Sequence, residues 1–217
     1  MNKIVPLIAF IIFCLVDFFG IYLEKQMIIN FAKPMLMITL SWYYYSNTKK
    51  INIHFTLGLF FSFLGDVLLL GTGETYFIFG LLFFLIAHIF YIIMVIKMIR
   101  NTKPKEFIIA CIPFLLLFIV LINVLYAGLG SMKIPVIVYA MTISFFGIVS
   151  LILYLQTKTK TSLLLVVGVL IFITSDTILA LNLFYKKQSF YPLLIMLTYV
   201  LAQYLICRFV LKLNQQS

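Results

Sequence analysis

The sequence predicts an all-α, polytopic transmembrane helix bundle of about eight spans. Two observations carry that prediction. The 217 residues are 65% hydrophobic and only 10% charged, with a mean hydropathy of +1.19. A soluble domain is about half apolar and about a quarter charged, so this chain has too little polar surface to coat a water-soluble globule. The apolar residues also fall in runs separated by brief charged, Gly- or Pro-bearing connectors. At about 20 residues per span, the whole length is used by a single integral-membrane domain covering 1–217, with no room for a soluble one.

The spans follow in order. Met1-Asn2-Lys3 and the apolar run from Ile4 resemble a signal peptide. No small-x-small cleavage site follows, and Asp17-Phe18-Phe19-Gly20 continues into Ile21-Tyr22-Leu23, so 4–23 reads as a retained first span. The second, 32–46, is short and ends in the interfacial aromatic cluster Trp42-Tyr43-Tyr44-Tyr45. The others are expected over 53–71, 76–97, 107–128, 133–155, 161–184 and 190–212. Nothing between them resembles a linker between domains.

Charge orients the bundle. A net charge of +10 would point a soluble chain toward nucleic acid. Here the lysines sit in connectors, where they encode topology and meet anionic headgroups, so nucleic acid is not expected as a partner. Lys3, Lys49, Lys50, Lys97, Arg100, Lys103, Lys105, Lys158, Lys160, Arg208 and Lys212 fall on the side of the N-terminus. Only Lys25, Lys33, Lys133, Lys186 and Lys187 fall on the other. The positive-inside rule therefore expects both termini in the cytoplasm, and in a bacterium the cell membrane as the location. Cys14, Cys111 and Cys207 lie in apolar runs without a CxxC pair and read as small buried residues.

An internal echo runs through the spans. Gly65-Asp66-Val67-Leu68-Leu69 in the third is answered by Ser175-Asp176-Thr177-Ile178-Leu179 in the seventh. Leu85-Ile86-Ala87-His88 is answered by Val200-Leu201-Ala202-Gln203, and Lys33-Pro34 by Lys133-Ile134-Pro135. Each pair is four spans apart, the pattern of a parallel 4+4 repeat.

Three acids lie within spans: Asp17, Asp66 and Asp176. Inserting a carboxyl costs about 2.5–3.5 kcal/mol, so each needs a reason. Asp17 is expected near the outer end of its span, reaching interfacial water in a structural role. Asp66 and Asp176 are flanked by apolar sequence on both sides and are the stronger functional candidates. Ser62 shares a helical face with Asp66 at i, i+4; Phe84, His88 and Tyr91 form a face of the fourth span; Tyr199 and Gln203 pair at i, i+4 in the eighth. For His88 and Gln203 an interhelical hydrogen bond that only glues the bundle is as good a reading as a functional one. Lys33 starts the second span at the same end as Asp66, a placement suited to a lipid whose phosphate meets the lysine while its first chain bonds lie among the acids. A protonated carboxyl is a general acid, and an ionised partner orients or deprotonates water. The same pair would serve a proton-coupled transporter equally well.

The residues also resemble a known family. Ala32-Lys33-Pro34-Met35, Phe61 to Leu69, Phe79 to Tyr91, Val138-Tyr139-Ala140-Met141, Gly168 to Ala180 and Thr198 to Gln203 occur in the order found in the lysoplasmalogenase family of small polytopic membrane proteins, the YhhN group. The resemblance covers most of the chain. Val169 departs from it where a small residue is expected, which bears on helix packing rather than on any catalytic candidate.

The resemblance implies hydrolysis of the vinyl ether bond of a lysoplasmalogen, with a lysophospholipid substrate drawn from membrane lipids. The products would be a fatty aldehyde and a glycerophospho-alcohol, and the reaction requires no metal or other cofactor. In that reading Asp66, Asp176 and His88 are catalytic, while Lys33, Tyr91, Tyr199, Gln203 and Ser62 bind or orient substrate and water. Three other functions compete. A lipid or small-molecule transporter would use the acids for proton coupling and should show Gly- or Pro-broken spans. An intramembrane aspartyl protease would need Gly-x-Gly-Asp, and Phe63 occupies the first Gly position. A non-catalytic lipid-binding scaffold would use neither acid chemically.

Overall fold

The computed structural model describes residues 3–216. Among them are eight α-helices and one short 3-10 turn, joined by tight connectors. The helices are α1 (Val5–Tyr22), α2 (Gln26–Asn47), α3 (Ile53–Leu68), α4 (Glu74–Ile96), α5 (Pro104–Leu125), α6 (Lys133–Thr157), α7 (Lys160–Phe184) and α8 (Tyr191–Gln216). Consecutive helices pack as hairpins, α1 on α2, α3 on α4, α5 on α6 and α7 on α8. Contacts of α4 with α6, and of α1 and α2 with α8, close these hairpins into one bundle.

Local chemistry sets the ends. The Asn52 side chain accepts from the Phe55 N–H at 3.1 Å and caps α3. Thr159 does the same for α7 through the Ser162 N–H at 3.1 Å. At α5 the Glu106 carboxylate accepts from the Lys103 N–H at 3.1 Å, with Pro104 in the first turn. Gly73, at φ 99°, takes a backbone conformation that residues with a Cβ rarely adopt and starts α4 directly after the turn.

Two expectations are corrected. The second helix is 22 residues long and begins at Gln26, six positions before the expected start. Pro34 lies inside it rather than at its head: a proline lacks the N–H that would bond back one turn, yet packing carries the helix through it. The third helix stops at Leu68, because Leu69 and Leu70 already form the turn leading to Gly71.

Among the described residues, six helices are long and apolar enough to cross a membrane: α1, α4, α5, α6, α7 and α8. The 16 residues of α3, about 24 Å at 1.5 Å each, fall short of a bilayer core of about 30 Å. The chain is thus an integral, multi-pass membrane protein whose outer helices expose Ile, Leu and Phe to lipid, α5 most completely.

Glycines let the inner helices approach. A Cβ on Gly58 would collide with the Tyr91 ring, and one on Gly65 would lie 2.6 Å from Phe84 Cδ2. These contacts press the face of α3 that carries Ser62 and Asp66 against α4. Phe55, Tyr91, Phe146, Phe172 and Phe209 fill the centre of the bundle.

Candidate functional site: two acids on one cavity

Asp66, near the end of α3, is 2% exposed. The Tyr199 hydroxyl on α8 donates to its Oδ2 at 2.7 Å. Asp176, on the second half of α7, receives the Tyr139 hydroxyl of α6 on Oδ2 at 2.6 Å. Each acid is therefore aimed by a tyrosine from a different helix, which fixes the carboxyl plane and satisfies one oxygen in a setting with little water.

Both acids, both tyrosines and Lys33 line one partly open cavity of about 100 Å³. It lies in the half of the bundle that holds the α1–α2, α3–α4, α5–α6 and α7–α8 connectors. Leu117, Leu121 and Leu125 of α5 and Phe77, Leu81 and Phe84 of α4 supply much of its apolar wall. A largely apolar chamber with a few convergent polar groups is the usual form of a small-molecule site. Here the polar groups are two carboxyls, two phenols and an ammonium, joined by Ser144, Ser175 and Thr177, so ionisable groups and a broad apolar surface meet in one chamber.

A second polar chain lies behind this wall. The Tyr91 hydroxyl donates to Gln203 Oε1 at 3.0 Å, and Gln203 Nε2 donates to Ser62 Oγ at 3.1 Å. All three side chains are completely buried, or nearly so, and none lines the cavity. Ser62 is one helical turn from Asp66 and Gln203 one turn from Tyr199, so the chain braces the helices that carry the site.

His88 is also fully buried and off the cavity. Its Nδ1 lies 2.7 Å from the Phe84 carbonyl, which can only accept, so Nδ1 is the donor. Its Nε2 meets no partner among the described residues. The ring packs edge-on against Phe172 at 4.6 Å and against Tyr139 at 5.6 Å. Phe172 in turn packs edge-on against Tyr199 at 5.6 Å, so one aromatic layer supports both tyrosines.

Of the residues singled out in the sequence, Lys33, Asp66, Asp176 and Tyr199 meet at the cavity; Ser62, His88, Tyr91 and Gln203 stand behind it. Asp17 is completely buried rather than near interfacial water, and neither of its oxygens has a hydrogen-bond partner among the described residues. Tyr139 was not expected at the site. Its sequence signals are the stretch Val138-Tyr139-Ala140-Met141, which resembles the family, and its position in the first two turns of α6, similar to that of Tyr199 in the early turns of α8. Among the described residues, no cluster of His, Cys, Asp and Glu is suited to a metal ion.

The YhhN family model matches residues 28–210. The chain belongs to this family of lysoplasmalogenase-like membrane proteins. No curated protein and no solved structure matches it. The matched stretch contains every residue of the cavity wall named above and leaves out the whole of α1.

Proposed function

We propose that this YhhN-family chain hydrolyses the vinyl ether bond of lysoplasmalogens, releasing a fatty aldehyde and a glycerophospho-alcohol. The observation that carries the reading is the pair of carboxyls, Asp66 and Asp176, each held by a tyrosine and both opening on one apolar cavity beside Lys33. Family membership supports the same class of reaction.

A vinyl ether resists direct attack by water because its double bond is electron-rich. Protonation of the carbon remote from oxygen forms an oxocarbenium ion. Water adds to that ion at the carbon bonded to oxygen and loses a proton, giving a hemiacetal. The hemiacetal collapses to aldehyde and alcohol, and the proton lost on addition replaces the one first donated. The site therefore needs one carboxyl as acid and a second to stabilise the cation and activate water, a division of labour shared with glycosidases. Asp66 and Asp176 fill these two roles in this proposal. Tyr199 and Tyr139 orient them, Lys33 meets the phosphate, and the leucines of α5 take the hydrocarbon chain. His88, Tyr91, Gln203 and Ser62 act from behind by holding the aromatic and hydrogen-bonded layers in place.

Both internal prolines, Pro34 and Pro113, lie in unbroken helices, so the described spans lack the interrupted half-helices of a midplane transport site. The orientation that goes with this reading places both termini in the cytoplasm.

The test is aldehyde release by the detergent-purified chain from a lysoplasmenyl lipid, with the saturated-ether lysolipid as control. In deuterium oxide the released aldehyde carries one deuterium on the carbon next to the carbonyl. Hydrolysis of neither choline nor ethanolamine lysoplasmalogen would remove the proposal.

A further inference from the structure

Asp17 is the acid that the mechanism does not use. It is fully buried on α1, and both of its carboxyl oxygens lack a hydrogen-bond partner among the described residues. A buried carboxyl without a partner is costly, so its place in the bundle calls for a compensating interaction.

The register of α1 against α2 points to the group that could offer it. The two helices run antiparallel: Gly20 packs on Ile28 and Ile29, where an added Cβ would lie 2.9 Å from Ile28 Cγ2. The Phe13 and Phe31 ring centroids are 6.0 Å apart. One turn before Gly20 is Asp17, and one turn after Ile29 is Lys33. Lys33 is half-buried and lines the cavity with Asp66. The helix register therefore sets Lys33 across the α1–α2 contact from Asp17, and the cavity sets it together with Asp66.

A lysine between two acids can pair with either. Pairing with Asp66 would occupy the carboxyl that the substrate must meet. We propose that Asp17 is a positioning residue that competes with Asp66 for the Lys33 ammonium and so keeps the Asp66 carboxyl available to the cavity. Lys33 then remains at the rim, ready for a phosphate, instead of closing onto the acid beside it. Asp17, on α1, lies outside the residues matched by the family model. The consequence for catalysis rests on the hydrolase reading, whereas the charge competition does not.

The competition has a readout independent of turnover. Dicyclohexylcarbodiimide adds to a protonated carboxyl without a leaving group and leaves a stable acylurea, whereas a carboxylate tied to an ammonium is protected. The full chain in detergent is treated with this reagent, and the adduct on the Asp66 peptide is quantified by mass spectrometry. Asp17→Asn is expected to lower the adduct about tenfold, the scale of coupling within one charge network. Asp17→Glu and the double variant Asp17→Asn/Lys33→Gln are expected to restore it.

Labelling of Asp17→Asn at the wild-type level would overturn the proposal. So would a double variant labelled no better than Asp17→Asn, or a wild type whose Asp66 takes no label. If Asp17→Asn does not stay monodisperse, Lys33→Gln alone decides: its labelling must equal or exceed that of wild type, and a fall would overturn the proposal. A wild type that labels with this pattern but releases no aldehyde counts against the hydrolase reading alone.

Discussion

The hydroxyl of Tyr199 donates to Asp66 at 2.7 Å across 133 residues of sequence, tying the first half of the bundle to its last helix. The equivalent bond for Asp176 comes from Tyr139, on the neighbouring helix α6. The two acids thus share a cavity but not a hydrogen-bond donor, and each donor can be removed separately.

Tyr199→Phe keeps the ring and its edge-on contacts with Phe84 and Phe172 but removes the donor to Asp66. A buried acceptor left without its donor costs about 1–3 kcal/mol. If that cost falls on the transition state, aldehyde release drops about 5- to 150-fold in kcat. Thermal unfolding in detergent should move by only a few degrees. Steady-state kinetics beside a Tm measurement checks this, and an unchanged kcat would show that Asp66 needs no such support.

Tyr139→Phe should weaken Asp176 in the same way while leaving Asp66 untouched. Reactivity of Asp66 toward a carbodiimide, read by mass spectrometry, should match wild type in this variant although turnover falls. Equal loss of reactivity at both acids would mean that they form one coupled unit.

Gln203→Leu tests the layer behind the cavity. It strands the Tyr91 hydroxyl and Ser62 Oγ, both completely buried, and should destabilise the protein by about 1–3 kcal/mol. Because Gln203 does not touch the cavity, KM for a lysolipid should stay within about twofold of wild type, as for a residue without substrate contact. A large rise in KM with unaltered Tm would return Gln203 to the substrate.

How much of this was legible beforehand differs by physical origin. The bundle was legible because a membrane span announces itself within 20 consecutive residues, so the apolar runs marked the order of the helices although the bounds of α2 and α3 differed. The start of α2 was misread because Pro34 looked like a helix head, whereas packing against α1 carries the helix through it. Asp66, Asp176, Lys33 and Tyr199 could be singled out because ionisable or polar residues are conspicuous in apolar runs. Tyr139 stood only within the stretch quoted for the family resemblance and not as a site residue, since an aromatic in a span is unremarkable and its partner lies 37 residues away on another helix. The placement of His88 behind the wall was equally hidden: its helical face is fixed by spacing, but what that face meets depends on how α4, α6 and α7 come together.

Leu121→Trp addresses the apolar wall. An indole placed on the wall supplied by α5 should fill part of the chamber, raising KM for long-chain lysolipids more than for short-chain ones. The discrimination should be about 1–3 kcal/mol, the range for steric selection in an apolar pocket. Kinetics across a series of chain lengths measures it, and a uniform effect on all lengths would place the chain elsewhere.

The central claim is that two tyrosine-held carboxyls, Asp66 and Asp176, carry vinyl ether hydrolysis. The most direct measurement is aldehyde release from a lysoplasmenyl lipid by wild type, Asp66→Asn and Asp176→Asn, each verified as monodisperse in detergent. The account predicts turnover by wild type and a loss of at least about a thousandfold in each variant, as expected when an acid or base of one catalytic unit is removed. Turnover that survives in either folded variant would contradict it.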